Sequence, residues 1–263
     1  MEAAALTHAV AGRPRAFVGV TGPDAEDYLQ RMLSNDVEAL APGESCQALL
    51  LTPKARVIAP MRVLRRGPED FLLLTEPELG ETLRDQLLRM RFAAKAEIAL
   101  EEHTSTLVFG GDEGIANDDY GEPAVEVLDA ALEPTLGEDE LETLRIRAGT
   151  PRFGREIDDR VLPAEAGLVD RAVSLTKGCY PGQEPIARLH YRGHANRGLR
   201  VLAIDDDEPP AADAELAYEG KAVGRVTSAV RADGGIVALA YVRTEVPADA
   251  VLDMGRSKAR SLH

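Results

Sequence analysis

Thr176-Lys177-Gly178-Cys179-Tyr180-Pro181-Gly182-Gln183-Glu184 sets one of the chain's two cysteines between a lysine and two glycines. The thiolate is the reactive form of cysteine, and nearby positive charge or a helix N-terminus favours it. Lys177 stands two residues before Cys179. Gly178 and Gly182 let the backbone bend where a Cβ would clash. Pro185 suits the first turn of a helix running through Ile186, Ala187 and Leu189, where a missing N–H costs little. Cys179 is therefore expected in a loop just ahead of a helix, in positive potential, with Lys177 beside it. The plain alternative is a buried, inert cysteine in a glycine turn.

Outward from this stretch, composition bounds the rest. The chain has 263 residues, enough for two domains or one large one, and 44% of them are hydrophobic. Aromatics make up 4% and tryptophan is absent, so Leu, Val, Ile and Ala must fill the core. The net charge of −15 argues against a general nucleic-acid surface, which needs a basic face, and suits a solvated exterior. Two cysteines make no disulfide framework and fit a reducing compartment. Cys46, in the run Cys46-Gln47-Ala48-Leu49-Leu50-Leu51, reads as an inert buried residue. The sequence offers no apolar run of about 18 residues and no charged-then-apolar leader, so neither a membrane span nor a signal peptide is expected, and the expected location is the cytoplasm.

Along the chain, Ala16 to Val20 reads as a strand, and Thr21-Gly22-Pro23-Asp24 opens a helix whose Ala25, Leu29 and Met32 share a face. That helix is expected to end near Ser34-Asn35-Asp36. Strands follow at Cys46 to Leu51 and Arg56 to Leu64. Val57, Ala59, Met61 and Val63 alternate there as a half-buried strand requires. Arg66-Gly67-Pro68-Glu69 turns the chain into Phe71 to Leu74, a hairpin. A helix is expected over Glu78 to Phe92, strands at Ala96 to Leu100, Ser105 to Phe109 and Ala124 to Leu128, an exposed loop over Gly110 to Gly121, and a helix over Glu138 to Ala148 ended by Gly149. Thr150 to Gly198 is irregular and holds most of the motifs. Strands at Leu199 to Ile204, Leu216 to Tyr218, Ala222 to Val230 and Ile236 to Arg243, with turns at Glu219-Gly220 and Asp233-Gly234-Gly235, predict a small antiparallel barrel or sandwich. The tail from Gly255 reads as frayed. The division expected is 1–198 and 199–256.

Against the acidic background, Arg188, His190, Arg192, His194, Arg197 and Arg200 form a basic cluster, and Arg145, Arg147, Arg152 and Arg155 another. Guanidinium groups offer paired donors in a plane, which suits a small anionic ligand; pairing with the chain's own acids is the alternative. His190 and His194 are four apart, but Gly193 lies between them and no CxxC or HExxH accompanies them, so zinc is disfavoured. Cys46 and Cys179 cannot hold a four-cysteine iron–sulfur cluster. No phosphate loop and no dinucleotide fingerprint is present.

The motif K-G-C-Y-x-G-Q-E resembles the signature of the YgfZ family, folate-binding relatives of the glycine-cleavage aminomethyltransferase GcvT. Further segments are similar. They are Val20-Thr21-Gly22-Pro23-Asp24-Ala25, Ser34-Asn35-Asp36-Val37, the R-x-x-x-G-x-P-x-x-G block from Arg145 to Gly154, Leu162-Pro163-Ala164-Glu165-Ala166-Gly167-Leu168, and Gly224-Arg225-Val226-Thr227-Ser228. The resemblance implies an α+β, ring-shaped body around a folate cavity, with a C-terminal antiparallel β-barrel. It implies tetrahydrofolate or a derivative as cofactor, Glu165 on the pterin, Arg197 on the folate, and Cys179 as the functional thiol tuned by Lys177. It implies support for the assembly or repair of iron–sulfur client enzymes, and through them tRNA modification, with no direct contact to nucleic acid or membrane. Where the aminomethyltransferases carry a catalytic aspartate, the aligned stretch Val57-Ile58-Ala59-Pro60-Met61 has no acid, and an asparagine of the neighbouring strand is Thr75. Acid–base chemistry needs a titratable group in reach. The alternative, a tetrahydrofolate-dependent aminomethyltransferase or demethylase, needs one from elsewhere, such as Asp36 or Glu184. A third alternative is a thiol-based redox or scaffolding module that binds no folate.

Overall fold

A computed structural model describes residue 6 and residues 8–232 and 234–262. The chain begins with β1 (Val10–Gly12) and β2 (Ala16–Thr21), then α1 (Ala25–Met32), β3 (Ser45–Leu51), β4 (Val57–Gly67) and β5 (Asp70–Thr75). A 3₁₀ turn at Pro77–Leu79 leads into α2 (Gly80–Met90), followed by β6 (Glu97–Glu101), β7 (Ser105–Phe109), β8 (Ile115–Asn117) and β9 (Ala124–Leu128). Next come α3 (Glu138–Arg147), α4 (Val169–Ala172) and α5 (Gln183–Arg192). The last strands are β10 (Arg197–Asp205), β11 (Glu215–Tyr218), β12 (Lys221–Ala232), β13 (Gly235–Arg243), β14 (Val251–Met254) and β15 (Ser257–Ser261).

Three antiparallel sheets result. The five-stranded sheet runs β3-β4-β5-β2-β6 and the four-stranded sheet β1-β7-β9-β8, while β10-β13-β12-β11-β14-β15 close into a barrel. The alternation expected in β4 puts Ala59, Met61 and Val63 into one core with Leu29 of α1 and Leu83 and Leu87 of α2. Its other face, including Pro60 and Arg62, is left to a cavity. The barrel is filled from all six strands by residues such as Leu202, Leu216, Val226, Ala240, Leu252 and Ala259. Gly224 lets β12 cross close to β13, since a Cβ there would stand 2.3 Å from the Tyr241 carbonyl oxygen.

The α+β class and the C-terminal antiparallel barrel are therefore as the sequence predicts. Three local readings are corrected. Gly110 to Gly121 is no simple exposed loop: Ile115 and Asn117 are buried in β8, which pairs with β9. The helix expected over Glu78 to Phe92 starts as a 3₁₀ turn and stops at Met90, leaving Phe92 91% exposed with φ 47°. The tail after Gly255 does not fray, because β15 pairs with both β14 and β10 and closes the barrel. Of the turn expected at Asp233-Gly234-Gly235, Asp233 lies outside the described residues.

A buried knot joins the barrel to the body. Arg145 of α3 donates to Glu156 at 2.9 Å and to Ser228 of β12 at 3.0 Å, and Ser228 donates to Glu156 at 2.6 Å. Glu156 is fully buried, and its backbone carbonyl accepts from the Tyr241 hydroxyl at 2.8 Å.

Candidate functional site

Two cavities and one exposed loop carry the candidate chemistry. The first cavity, of about 580 Å³, is walled by the segment before β2, the open face of β3 and β4, the start of α3 and the loops around Arg152 and Arg171. Seven arginines line it: Arg13, Arg15, Arg62, Arg145, Arg152, Arg155 and Arg171. Most meet carboxylates. Arg13 forks onto Glu76 at 2.7 and 3.2 Å. Burial raises the Glu76 carboxyl, but Arg13 overrides this and holds it below the usual carboxylate range. Arg15 pairs with the buried Glu126, which also accepts from Ser105 and Asn117. Burial acts to raise Glu126 as well, yet the arginines take it down to about 2. Arg171 donates to Asp119 at 2.9 Å, and Gln47 donates to the same oxygen at 3.0 Å.

Arg62 is the buried exception. It is 7% exposed, and its Nε and Nη2 have no hydrogen-bond partner. Asp118 and Asp119 stand 3.6 and 3.7 Å from Nη2, close enough for attraction and too far for a hydrogen bond. Arg13 Nε is likewise buried and unpartnered. Guanidinium N–H groups left in this state are costly, and an anionic acceptor in the cavity relieves the cost.

The second cavity, of about 960 Å³, lies against the barrel and is lined by Glu165, His194, Arg197, Tyr241 and Arg243 among others. Glu165 and Arg197 are together here, as paired partners. Arg197 Nε and Nη2 reach the two Glu165 oxygens at 3.1 and 3.2 Å, and the guanidinium lies over the Tyr241 ring at 4.9 Å. The backbone repeats the link, Leu199 N–H donating to the Glu165 carbonyl at 3.0 Å. This pair fastens the Glu165 loop to the first barrel strand.

Cys179 lines neither cavity and is exposed. Its loop is tied to the first sheet. Ser34 donates to the Ala172 carbonyl at 2.6 Å and accepts from Leu49 N–H at 2.8 Å, while Ser174 N–H donates to the Ser34 carbonyl at 2.9 Å. The Lys177 ammonium donates to the Leu33 and Asn35 carbonyls at 2.8 and 2.6 Å and lies 5.4 Å from the Tyr180 ring centroid. Burial pushes Lys177 down to about 8, against the opposing pull of Asp36. Gly182 has φ 85°, and a Cβ on it would stand 2.7 Å from the Thr52 carbonyl oxygen. Pro185 falls in the first turn of α5, as expected. Burial pushes the half-buried Cys46 thiol up to about 11, with Arg62 and Lys177 opposing.

The structure thus joins Glu165 with Arg197, sets Cys179 apart from both, and turns Lys177 towards the 33–35 loop. The upstream basic cluster is partly in the first cavity, through Arg145, Arg152 and Arg155. The downstream one is divided between α5, the second cavity and Arg200, whose guanidinium donates to the Val246 and Pro247 carbonyls. Sequence reasoning missed Arg13 and Arg62. For Arg62 a signal existed: a charge between Met61 and Val63 in a strand whose alternate residues are apolar. Among the described residues, no group of three or more His, Cys, Asp or Glu side chains is placed to hold a metal ion. Among the same residues, no helix is long and apolar enough to cross a membrane.

Comparison with known proteins gives the following. No protein-family model matches the chain. A protein of Edwardsiella ictaluri named tRNA-modifying protein YgfZ is 28% identical over 93% of this chain and 86% of its own. The protein of that name from Photorhabdus laumondii is 26% identical over 82% of this chain and 78% of its own. An uncharacterized protein of Haemophilus influenzae is 28% identical over 83% of this chain and 82% of its own. Among solved structures, the glycine cleavage system aminomethyltransferase T of Bartonella henselae superposes with a TM-score of 0.84 at 20% identity, covering 99% of this chain and 88% of that one.

Proposed function

We propose that this chain, similar to the YgfZ proteins and built on the fold of an aminomethyltransferase, is a folate-binding protein supporting the assembly or repair of iron–sulfur client enzymes, and through them tRNA modification, with Cys179 as its functional thiol. The observation that carries the folate half is Arg62: unpartnered donors, buried in the wall of a cavity of about 580 Å³. That volume lies within the range of small-molecule sites. The donors of Arg62 and Arg13 fit the carboxylates of a folate tail, because a guanidinium can meet a carboxylate with two parallel bonds. Asp119, in the same wall, fits the N–H edge of a pterin. Tetrahydrofolate, when bound, carries one-carbon units. Glu165 and Arg197, which the family resemblance assigns to the folate, serve in this reading only if their mutual pair opens.

The client-directed half rests on Cys179, accessible at the surface in a loop held by Ser34 and Lys177. In this reading Lys177 fixes the loop. The rival, one-carbon transfer to or from an amine, is favoured by the aminomethyltransferase fold and opposed by the cavity's acids. Glu76 is held by Arg13, Asp119 by Arg171 and Gln47, and Glu142 by Arg145, while Glu138 and Asp139 stand exposed where the start of α3 meets the cavity. Asp36 and Glu184 line neither cavity. Cys179→Ser tests the reading. It should fail to rescue an iron–sulfur enzyme in cells lacking the protein, while the purified variant melts like wild type and binds tetrahydrofolate with unchanged affinity. Full rescue by the variant defeats the thiol role, and turnover of tetrahydrofolate with an amine donor establishes the rival.

A further inference from the structure

Helix α5 runs for ten residues from Gln183 to Arg192, and among them Ile186 is the buried one. Arg188, Tyr191 and Arg192 stand at i, i+3 and i+4 and so share a face. Tyr191 is 67% exposed, and His194 continues the exposed basic run just past the helix end. Among the described residues neither Arg188 nor Arg192 has an ion pair or a side-chain hydrogen bond. The chain has 45 Asp and Glu against 30 Lys and Arg, and Arg13, Arg15, Arg31, Arg66 and Arg145 all hold carboxylates, whereas the donors of Arg188 and Arg192 are left open side by side on one helix face. Glu184 stands one turn before Arg188 and forms no ion pair with it. Two like charges four apart on a helix disfavour each other, and an anion laid across both removes the repulsion.

We propose that the face of α5 formed by Arg188, Tyr191 and Arg192, with His194 beside it, docks an acidic segment of a protein partner. Arginine and tyrosine are the side chains that most often anchor protein contacts, through paired donors and a rigid amphipathic ring. Complementary charge selects the acidic partner. A long polyanion such as RNA meets the repulsion of a body with net charge −15. A short acidic segment meets mainly the local patch, because salt screens charges beyond about 8 Å. The helix begins four residues after Cys179, and the face lies towards its other, C-terminal end. The inference is independent of folate binding.

The test is fluorescence anisotropy with a labelled short peptide of Asp, Glu and Leu, against the full-length protein at about 0.15 M salt. Wild type should bind the peptide, and the double variant Arg188→Glu, Arg192→Glu should bind it at least about ten-fold more weakly. Tyr191→Ala should weaken it as well. Arg31→Glu, on the exposed surface of α1, should leave it unchanged. Arg188→Gln with Arg192→Gln gives the same answer should charge reversal disturb folding, which the melting temperature reports. The proposal is overturned by wild type that fails to bind the peptide, or by equal binding in wild type and either double variant. It is also overturned by tighter binding of a single-stranded RNA of equal charge that the same reversal abolishes.

Discussion

Cys179 is exposed in a loop four residues ahead of α5, whereas Cys46 is half-buried on β3 with its thiol pushed up to about 11 by burial. The thiolate is the species that reacts with alkylating agents, so access and burial separate the two. Under limiting iodoacetamide at neutral pH, Cys179 should be modified at least about ten-fold faster than Cys46, read by peptide mass spectrometry. Equal rates would mean that the loop shields its sulfur. The sequence showed that Cys179 precedes a helix, because Pro185 and the glycines are local signals. It could not show where Lys177 points. That direction is set by the Leu33 and Asn35 carbonyls, more than 140 positions away in the chain. Nearness in sequence made Lys177 look like a partner of Cys179, while its ammonium is used to tie two loops together.

Among elements, the segment from Ala172 to Gly182 is a strap between the first sheet and α5. Ser34 makes bonds to it on one side, and Gly182 packs on the Thr52 turn on the other. Gly182→Ala meets two penalties, a left-handed φ and a Cβ 2.7 Å from a backbone oxygen. The cost should be about 2–4 kcal/mol, visible as a lower midpoint in urea denaturation; a midpoint equal to wild type would show that the strap yields freely. Elements with clear periodicity, such as α1 and β4, or with a continuous apolar run, such as β13, were legible. β1, β8, β14 and β15 were not: each is short, and none carries the run of large apolar residues that marks the equally short β7 and β9. In β15 the pattern Ser257-Lys258-Ala259-Arg260-Ser261 does alternate buried with exposed. Alanine is its only apolar residue, however, and a period of two without large side chains resembles a polar tail.

For the whole molecule, the antiparallel barrel and the α+β class of the body could be anticipated, and the arginine cavity could not. Its walls come from the start of the chain, from β4, from α3 and from α4, so Arg13, Arg62, Arg145 and Arg171 meet only after the sheets have assembled. Sequence clusters record charge that is adjacent along the chain, and this cavity is built from charge that is not. The same assembly places the thiol loop outside the cavity, so ligand binding and thiol chemistry are separable in this account. Calorimetric titration of tetrahydrofolate against wild type, Arg62→Gln and Cys179→Ser tests that separation directly. Arg62→Gln should lose about 1.5–3 kcal/mol of binding, roughly ten- to a hundred-fold in Kd, with Cys179→Ser matching wild type. Undiminished affinity in Arg62→Gln, or no binding by wild type, contradicts the account.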